Sequence, residues 1–396
     1  MTFLWLTRYP PYPPLKGGAL DYTRVVVDSL TLQGPVQGLA FEPPMMVEMP
    51  DSNGLDWELL PRKMPSRVSS LLSSLPNVAS RNVDSGFLRR AVALAANAEA
   101  VFVDFIAMAW LVEPLARAFT GKARRPLIVM VTHNHEHDVR LQMARNATSL
   151  PMRAALSLDA FKAGRLERRA NRAADGLTGI TSTDCENFAR DADTPAITLP
   201  PAYDGQVLAA RVIDSSVPRV ATILGNRDAH HKIMVLERTL ASMTRLAQAG
   251  VTVSVAGSGN FTDFAQRYPA IRFEGYVEDL AVYLRNVRVG LLTDDIGGGF
   301  KIRALTYALL RVPMIALREA MAGMELVDGV HFIGVDTLAE LGEATTRLID
   351  DFDQLNRIQE AAFAFAVERF HPSSPGRRLV DFVARLRPAQ AEIGAR

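Results

Sequence analysis

The chain has 396 residues, 48% of them hydrophobic and 22% charged, which is the balance of a soluble globular protein too long for one typical core, so two domains are expected. A formal net charge of +1 lacks the basic excess of a nucleic-acid-binding domain, and no nucleic-acid partner is expected. The single cysteine, Cys185, excludes an internal disulfide framework and a cysteine-only metal site. The apolar start, Met1-Thr-Phe-Leu-Trp-Leu, is too short for a signal peptide, and no apolar run would span a bilayer, so a cytoplasmic location is expected.

Strand-like and helical patterns alternate along the chain, which predicts α/β domains with parallel sheets of βαβ units. Phe3–Thr7 reads as a short apolar strand running into a proline-stiffened loop, Arg8-Tyr-Pro-Pro-Tyr-Pro-Pro-Leu-Lys-Gly17-Gly18. Helical spacing follows over Asp21–Leu32, and strands are predicted at Val36–Phe41, Ala100–Phe105, Leu127–Thr132 and Gly179–Thr181. The stretch from Leu55 to Ala96 is less regular, mostly polar or helical, and gives no clear order. Leu199-Pro-Pro-Ala suits a linker, which divides the chain into a domain over 1–202 and a second over 203–372.

In the second half, Val220–Leu224 and Val251–Ala256 read as strands around a helix over Lys232–Ala249. Further strands are predicted at Ile271–Phe273, Val287–Leu292, Met314–Ala316 and His331–Ile333, and helices at Leu341–Asp350 and Leu355–Arg369. A last helix, Arg377–Leu386, has no strand after it, which leaves residues 373–396 to pack back on the first domain. The most informative segment runs from Gly275 to Arg303: a turn, a short helix, a buried strand, then three glycines, Gly297 to Gly299, opening a second helix. Glycines there let backbone N–H groups approach a ligand closely. Lys301 and Arg303 in the first turn would oppose the helix dipole unless an anion lies nearby, and a diphosphate is the natural candidate; an ordinary strand-to-helix turn with surface cations is the alternative.

The order of these pieces resembles the GT-B glycosyltransferases, in particular the retaining family 4 enzymes. The matching segments are Ile223-Leu-Gly-Asn-Arg227-Asp-Ala-His-His-Lys232, Val253-Ser-Val-Ala-Gly-Ser-Gly259, Ile271 to Leu280, Gly297-Gly-Gly-Phe-Lys-Ile-Arg-Ala-Leu305 and Val312-Pro-Met-Ile-Ala. In the first half they are Pro13-Pro-Leu-Lys-Gly17-Gly18-Ala, Val131-Thr-His133-Asn-His-Glu136 and Arg165–Asp184. The resemblance implies two doubly wound Rossmann-like domains facing a cleft, an acceptor-side domain first and a nucleotide-sugar domain second, with the C-terminal helix crossing back. It also implies a sugar transferase acting from a nucleoside diphosphate sugar, without a metal or other cofactor, on a carbohydrate, lipid-linked or small-molecule acceptor in polysaccharide or glycoconjugate biosynthesis.

Carried over by residue, the resemblance assigns Arg227 and Lys232 to the diphosphate, where fixed cations would stabilise the charge growing on the departing phosphate. It assigns Gly17, Gly18, Gly298, Gly299 and Lys301 to the diphosphate or transferred sugar, and Tyr276 and Val277 to the turn meeting the nucleobase. His133 would touch the sugar, and Glu136 or His133 becomes the candidate base if the reaction inverts. His133, His135 and His137 form a His-x-His-x-His run that could instead bind a metal if all three pointed the same way. The family's ribose-gripping glutamate is Thr306 here, which offers one hydroxyl in place of two carboxylate oxygens. That departure opens one alternative, a non-catalytic partner of an active transferase; a nucleotide-sugar epimerase is another, since some epimerases share this architecture. The basic run Arg165 to Arg172 is either a solvated helix face or a peripheral contact with an anionic inner-membrane surface.

Overall fold

Phe3, Leu4, Trp5 and Leu6 are all buried, although a strand sends successive side chains to opposite faces, so the sheet holding them is covered on both sides. The computed structural model describes residues 1–13, 15, 18–47, 49, 54–62, 73–145, 147, 149–225, 230–294 and 300–393. Among these, β1 (Phe3–Leu6), β2 (Val36–Phe41), β3 (Leu55–Leu60), β4 (Ala100–Asp104), β5 (Leu127–Val131), β6 (Gly176–Gly179) and β7 (Ala196–Thr198) form one sheet in the order β3-β2-β1-β4-β5-β6-β7. Every pairing in it is parallel. Leu4 and Leu6 join a core with Phe87, Leu115 and Leu166, from helices Ser85–Ala95, Val112–Ala118 and Leu150–Ala173. Phe3 and Trp5 join the opposite core with Val26 and Leu30, from helix Gly18–Thr31.

That second face is completed by the last helix, Ser374–Ile393, whose Leu379, Phe382, Val383 and Leu386 lie in the same core. Gly376 is what lets it come close: an added Cβ would stand 2.2 Å from the Ser29 carbonyl oxygen, and the Gly376 N–H donates to Ser29 Oγ at 2.8 Å. The chain divides into two compact units, Met1–Ala202 with Pro372–Arg396, and Tyr203–His371. The second unit holds a six-stranded parallel sheet of β8 (Val220–Leu224), β9 (Thr252–Ala256), β10 (Ile271–Gly275), β11 (Val289–Leu292), β12 (Met314–Leu317) and β13 (Ile333–Val335). Its order is β10-β9-β8-β11-β12-β13.

The differences from the sequence reading have local causes. β3 lies inside the stretch read as irregular; it is a half-exposed edge strand, so Asp56 and Glu58 interrupt the apolar pattern that marks buried strands. β7, three residues just after Pro195, is the other edge and lies where the sequence predicts no strand. The strand expected at Gly179–Thr181 ends at Gly179, because Thr181 is the N-cap of helix Ser182–Asp191 in a reciprocal capping box with Asp184. The final strand begins at Ile333 rather than His331, whose ring nitrogen accepts the Val327 N–H at 2.9 Å. Lys301 precedes helix Ile302–Leu309 as its N-cap instead of standing in its first turn.

Candidate active site

Each sheet reverses its winding at one place, between β1 and β4 in the first unit and between β8 and β11 in the second. Ligands in open parallel sheets bind outside the carboxyl ends of the strands at such switch points. In the first unit, Asp104 ends β4 and is 2% exposed. Its carboxylate accepts hydrogen bonds from Thr7 Oγ1 at 2.8 Å and Thr23 Oγ1 at 2.9 Å, and pairs with His133 Nε2 at 2.7 Å. Thr7 follows β1 and His133 follows β5, so one carboxylate ties three strand ends and the first helix together.

The Asp104 bond sets the His133 tautomer: Nε2 carries the proton and Nδ1 is left as an acceptor, with no hydrogen-bond partner among the described residues. The His133 ring is boxed by Tyr22, edge-on at 4.9 Å between centroids, and by Phe105 at 5.0 Å. Tyr22 donates to the Leu199 carbonyl at 2.8 Å. Phe105 takes φ +65°, the left-handed region that a bulky residue enters only under constraint, at the turn leaving β4. Strained backbone, a buried carboxylate and an oriented imidazole thus converge on the switch point.

The other two histidines of the run point elsewhere. His135 packs on Phe188 and lies 2.9 Å from Asp138 and 3.6 Å from Asp191, while His137 Nδ1 bonds the Ala160 carbonyl at 3.0 Å. Among the described residues, no group of three or more His, Cys, Asp or Glu side chains could share a metal. Glu136 is buried and its carboxylate pairs with Arg140, which also holds Asp159 at 2.9 Å. Its backbone N–H and that of His137 donate to Glu167 at 2.7 and 3.0 Å, so Glu167 caps the helix Glu136–Arg145 from the neighbouring helix.

Burial pushes the Glu167 carboxyl up to about 7, against the pull of His135 and of the two amides. The folded chain therefore holds a proton that the unfolded chain has released, and this group's contribution to stability declines as pH rises from 4.5 to about 7. Glu167→Gln is expected to remove that slope. In denaturant titrations, wild type should lose about 3 kcal/mol relative to the variant across this window; parallel pH profiles would refute the assignment.

In the second unit the switch point is laced by backbone and by two side chains. The Gly225 N–H donates to Ala256 O at 2.9 Å and the Gly257 N–H to Gly275 O at 2.7 Å, joining the ends of β8, β9 and β10. Arg303 donates to the Leu224 carbonyl at 3.0 Å and pairs with Asp294, spanning the ends of β8 and β11. Its charge is thus answered within the protein, and the anion argued from Arg303 is not required. Tyr307, fully buried, accepts from the Leu224 N–H at 3.0 Å and donates to Thr222 O at 2.9 Å. Its ring lies where a Cβ on Gly290 would stand, 2.7 Å away. Lys301 is half-buried; burial pushes its ammonium below the usual value, Asp294 opposes this and Arg303 reinforces it.

Solved structures with the same architecture include Anabaena Alr3699/HepE in complex with UDP, at TM-score 0.62 and 14% identity over 97% of this chain and 100% of that one. The lipopolysaccharide outer core galactosyltransferase WaaB aligns at TM-score 0.65 and 11% identity, covering 96% of this chain and 98% of WaaB. WaaG, a glycosyltransferase involved in lipopolysaccharide biosynthesis, aligns at 0.57 and 12% over 96% and 99%. The fold is GT-B. No family model and no curated protein matches the sequence.

Within the GT-B frame, the residues singled out from the sequence fall as follows. Gly17, Arg227, Gly298 and Gly299 lie outside the described residues, as does the side chain of Lys232, which belongs to the first turn of helix His230–Gln248. Gly18 is the first residue of helix Gly18–Thr31. Tyr276 follows β10 and is 77% exposed, while Val277 packs against the second core. Thr306 is buried; its hydroxyl reaches back to Ile302 O at 3.5 Å and it meets the Tyr203 phenol. The sequence reading missed Asp104, Thr7, Thr23, Tyr22, Glu167 and Tyr307. Asp104 carried a usable signal, an acid closing an otherwise apolar strand; Thr7 is an ordinary strand-end residue and the others ordinary helix residues until the fold assembles them.

Proposed function

We propose that this chain is a glycosyltransferase that moves a sugar from a nucleoside diphosphate sugar to an acceptor hydroxyl, with retention and without a metal. The observation that carries the reading is that the residues the resemblance assigns in both halves, His133 in one and Lys232 and Lys301 in the other, belong to loops or helix starts at the carboxyl edges of the two sheets. The solved HepE complexes with UDP and UDP-glucose support the donor class, and the lipopolysaccharide assignments of WaaB and WaaG support glycoconjugate synthesis.

In this mechanism, cations at the diphosphate stabilise the leaving phosphate, which also takes the acceptor proton. His133, held by Asp104, presents Nδ1 to a sugar hydroxyl and positions the ring rather than deprotonating the acceptor. Should the reaction invert, His133 is the better-placed base, since Glu136 is engaged by Arg140. The inward-turned Thr306 hydroxyl favours one rival, a non-catalytic GT-B partner lacking the ribose grip.

Calorimetry with UDP-, GDP- and TDP-linked sugars separates these readings. We expect one donor to bind and to turn over only with acceptor, unaffected by chelator, giving a product whose anomeric configuration by NMR matches the donor. Failure of every donor to bind would leave the partner reading, and turnover without acceptor would indicate an epimerase.

A membrane-facing surface belongs to the same proposal. Val139, Met143, Leu150, Met152, Leu158 and Phe161 are exposed on two adjacent helices, Glu136–Arg145 and Leu150–Ala173. The two helices carry eight Lys and Arg against four acids, with Arg140 held by Glu136 and Asp159, in a chain whose total is +1. Apolar side chains rimmed by cations suit an anionic bilayer surface at the inner face of a cytoplasmic membrane. Phe161→Asp is expected to reduce sedimentation with vesicles containing anionic lipid several-fold; equal binding to neutral vesicles would rule the surface out.

A further inference from the structure

Arg8 and Arg62 meet beside the first-unit switch point, with Arg81 next to Arg62, and among the described residues no carboxylate pairs with them. Arg8 follows β1 by two residues and Arg62 follows β3 by two, so both leave the carboxyl edge of the sheet; Arg81 ends the short helix Asn77–Ser80. Tyr9 collects the first two: the Arg8 guanidinium lies 4.6 Å from the ring centroid and that of Arg62 5.2 Å. Both reach the Tyr9 hydroxyl, Arg8 through Nη2 at 3.4 Å, and Arg62 also donates to the Arg81 carbonyl at 3.4 Å.

The Nε atoms of Arg8 and Arg62 are buried without a hydrogen-bond partner among the described residues. Burial lowers the Arg62 pKa first, then the neighbouring charges of Arg8 and Arg81; Tyr9 opposes them, and no carboxylate is among the leading influences. Like charges brought together in a half-buried site repel, and a bound anion is the simplest way to reverse that. Planar guanidinium forks match phosphate oxygens two at a time, and a doubly charged group answers several of them better than a single carboxylate. Thr7, the residue before Arg8, is bonded to Asp104, so the cluster borders the His133 network directly.

We propose that Arg8 and Arg62, stacked on Tyr9, bind, with the help of neighbouring Arg81, a phosphate group carried by the sugar acceptor. The acceptor assignment rests on the glycosyltransferase reading above; the phosphate site does not.

The test is calorimetry on the full chain with glucose 6-phosphate and inorganic phosphate, each with and without saturating nucleotide to occupy the diphosphate site. Wild type is expected to bind glucose 6-phosphate more tightly than inorganic phosphate, and Arg81→Gln and the pair Arg8→Gln/Arg62→Gln to weaken it at least tenfold. Arg62→Lys, which keeps the charge and loses the fork, should fall between. Because Arg62 packs on Tyr9, Arg81→Gln is the decisive variant: in buffer free of multivalent anions it should melt at or above the wild-type temperature, since one repelling cation is gone. Unchanged phosphate affinity in Arg81→Gln, or a lower melting temperature with no change in affinity, would overturn the site. Equal affinity for the two probes would overturn the acceptor assignment alone. Absence of nucleotide binding with phosphate binding still lost in the variants would sink the transferase reading and leave the phosphate site standing.

Discussion

Arg227→Ala is expected to lower turnover at least ~100-fold, corresponding to the ~2.7–4 kcal/mol that a single donor to a developing oxyanion contributes. Arg227 lies outside the described residues, three positions past β8 and three before helix His230–Gln248. Charge grows on the departing phosphate only as the glycosidic bond breaks, so removing a fixed cation there should depress kcat more than it raises KM. Arg227→Lys should recover part of the loss, since it restores the charge and not the two-pronged contact. Steady-state kinetics with the donor found by calorimetry would measure all three; near-normal activity in Arg227→Ala would remove the diphosphate assignment.

Asp104→Ala is expected to destabilise the first unit by at least about 3 kcal/mol, since each buried donor left without its acceptor costs about 1–3 kcal/mol. The carboxylate serves Thr7, Thr23 and His133 at once, and its loss leaves three buried donors without their acceptor. Asp104→Asn should cost less stability and still impair transfer. One carboxylate oxygen becomes an N–H group, and if it faces His133 the imidazole must move its proton to Nδ1, losing the acceptor offered to the sugar. Urea titration would follow the first effect and ¹⁵N NMR of the imidazole the second. An Asp104→Ala protein of wild-type stability would show that the strand ends are held by something other than this carboxylate.

Much of the scaffold was legible because both sheets are parallel and buried on two faces. Val36–Phe41 and Val220–Leu224 begin and end where their apolar runs do, since a parallel strand covered on both sides has no polar face to confuse the pattern. β3 and β7 were missed because edge strands tolerate charges and flanking prolines, which blur that pattern. Thr181 looked like strand because it is β-branched, yet its hydroxyl does the work of a helix cap.

The site divides along the same line. His133 was visible as a polar residue closing an apolar strand, and Lys301 through its glycine-rich approach to a helix. Asp104, Thr7 and Thr23 are separated by up to 97 positions, and nothing in their neighbours announces that they share one carboxylate. The same holds for Arg8, Arg62 and Arg81, which are ordinary surface cations in the sequence and a charge cluster only when β1 and β3 lie on either side of β2. The sequence alone determined which segments become strands and helices, because periodicity and end residues act over a few positions. Only the tertiary structure decided which strand ends meet, and therefore which charges are answered and which are left facing one another, because strand order depends on packing between residues far apart in the chain.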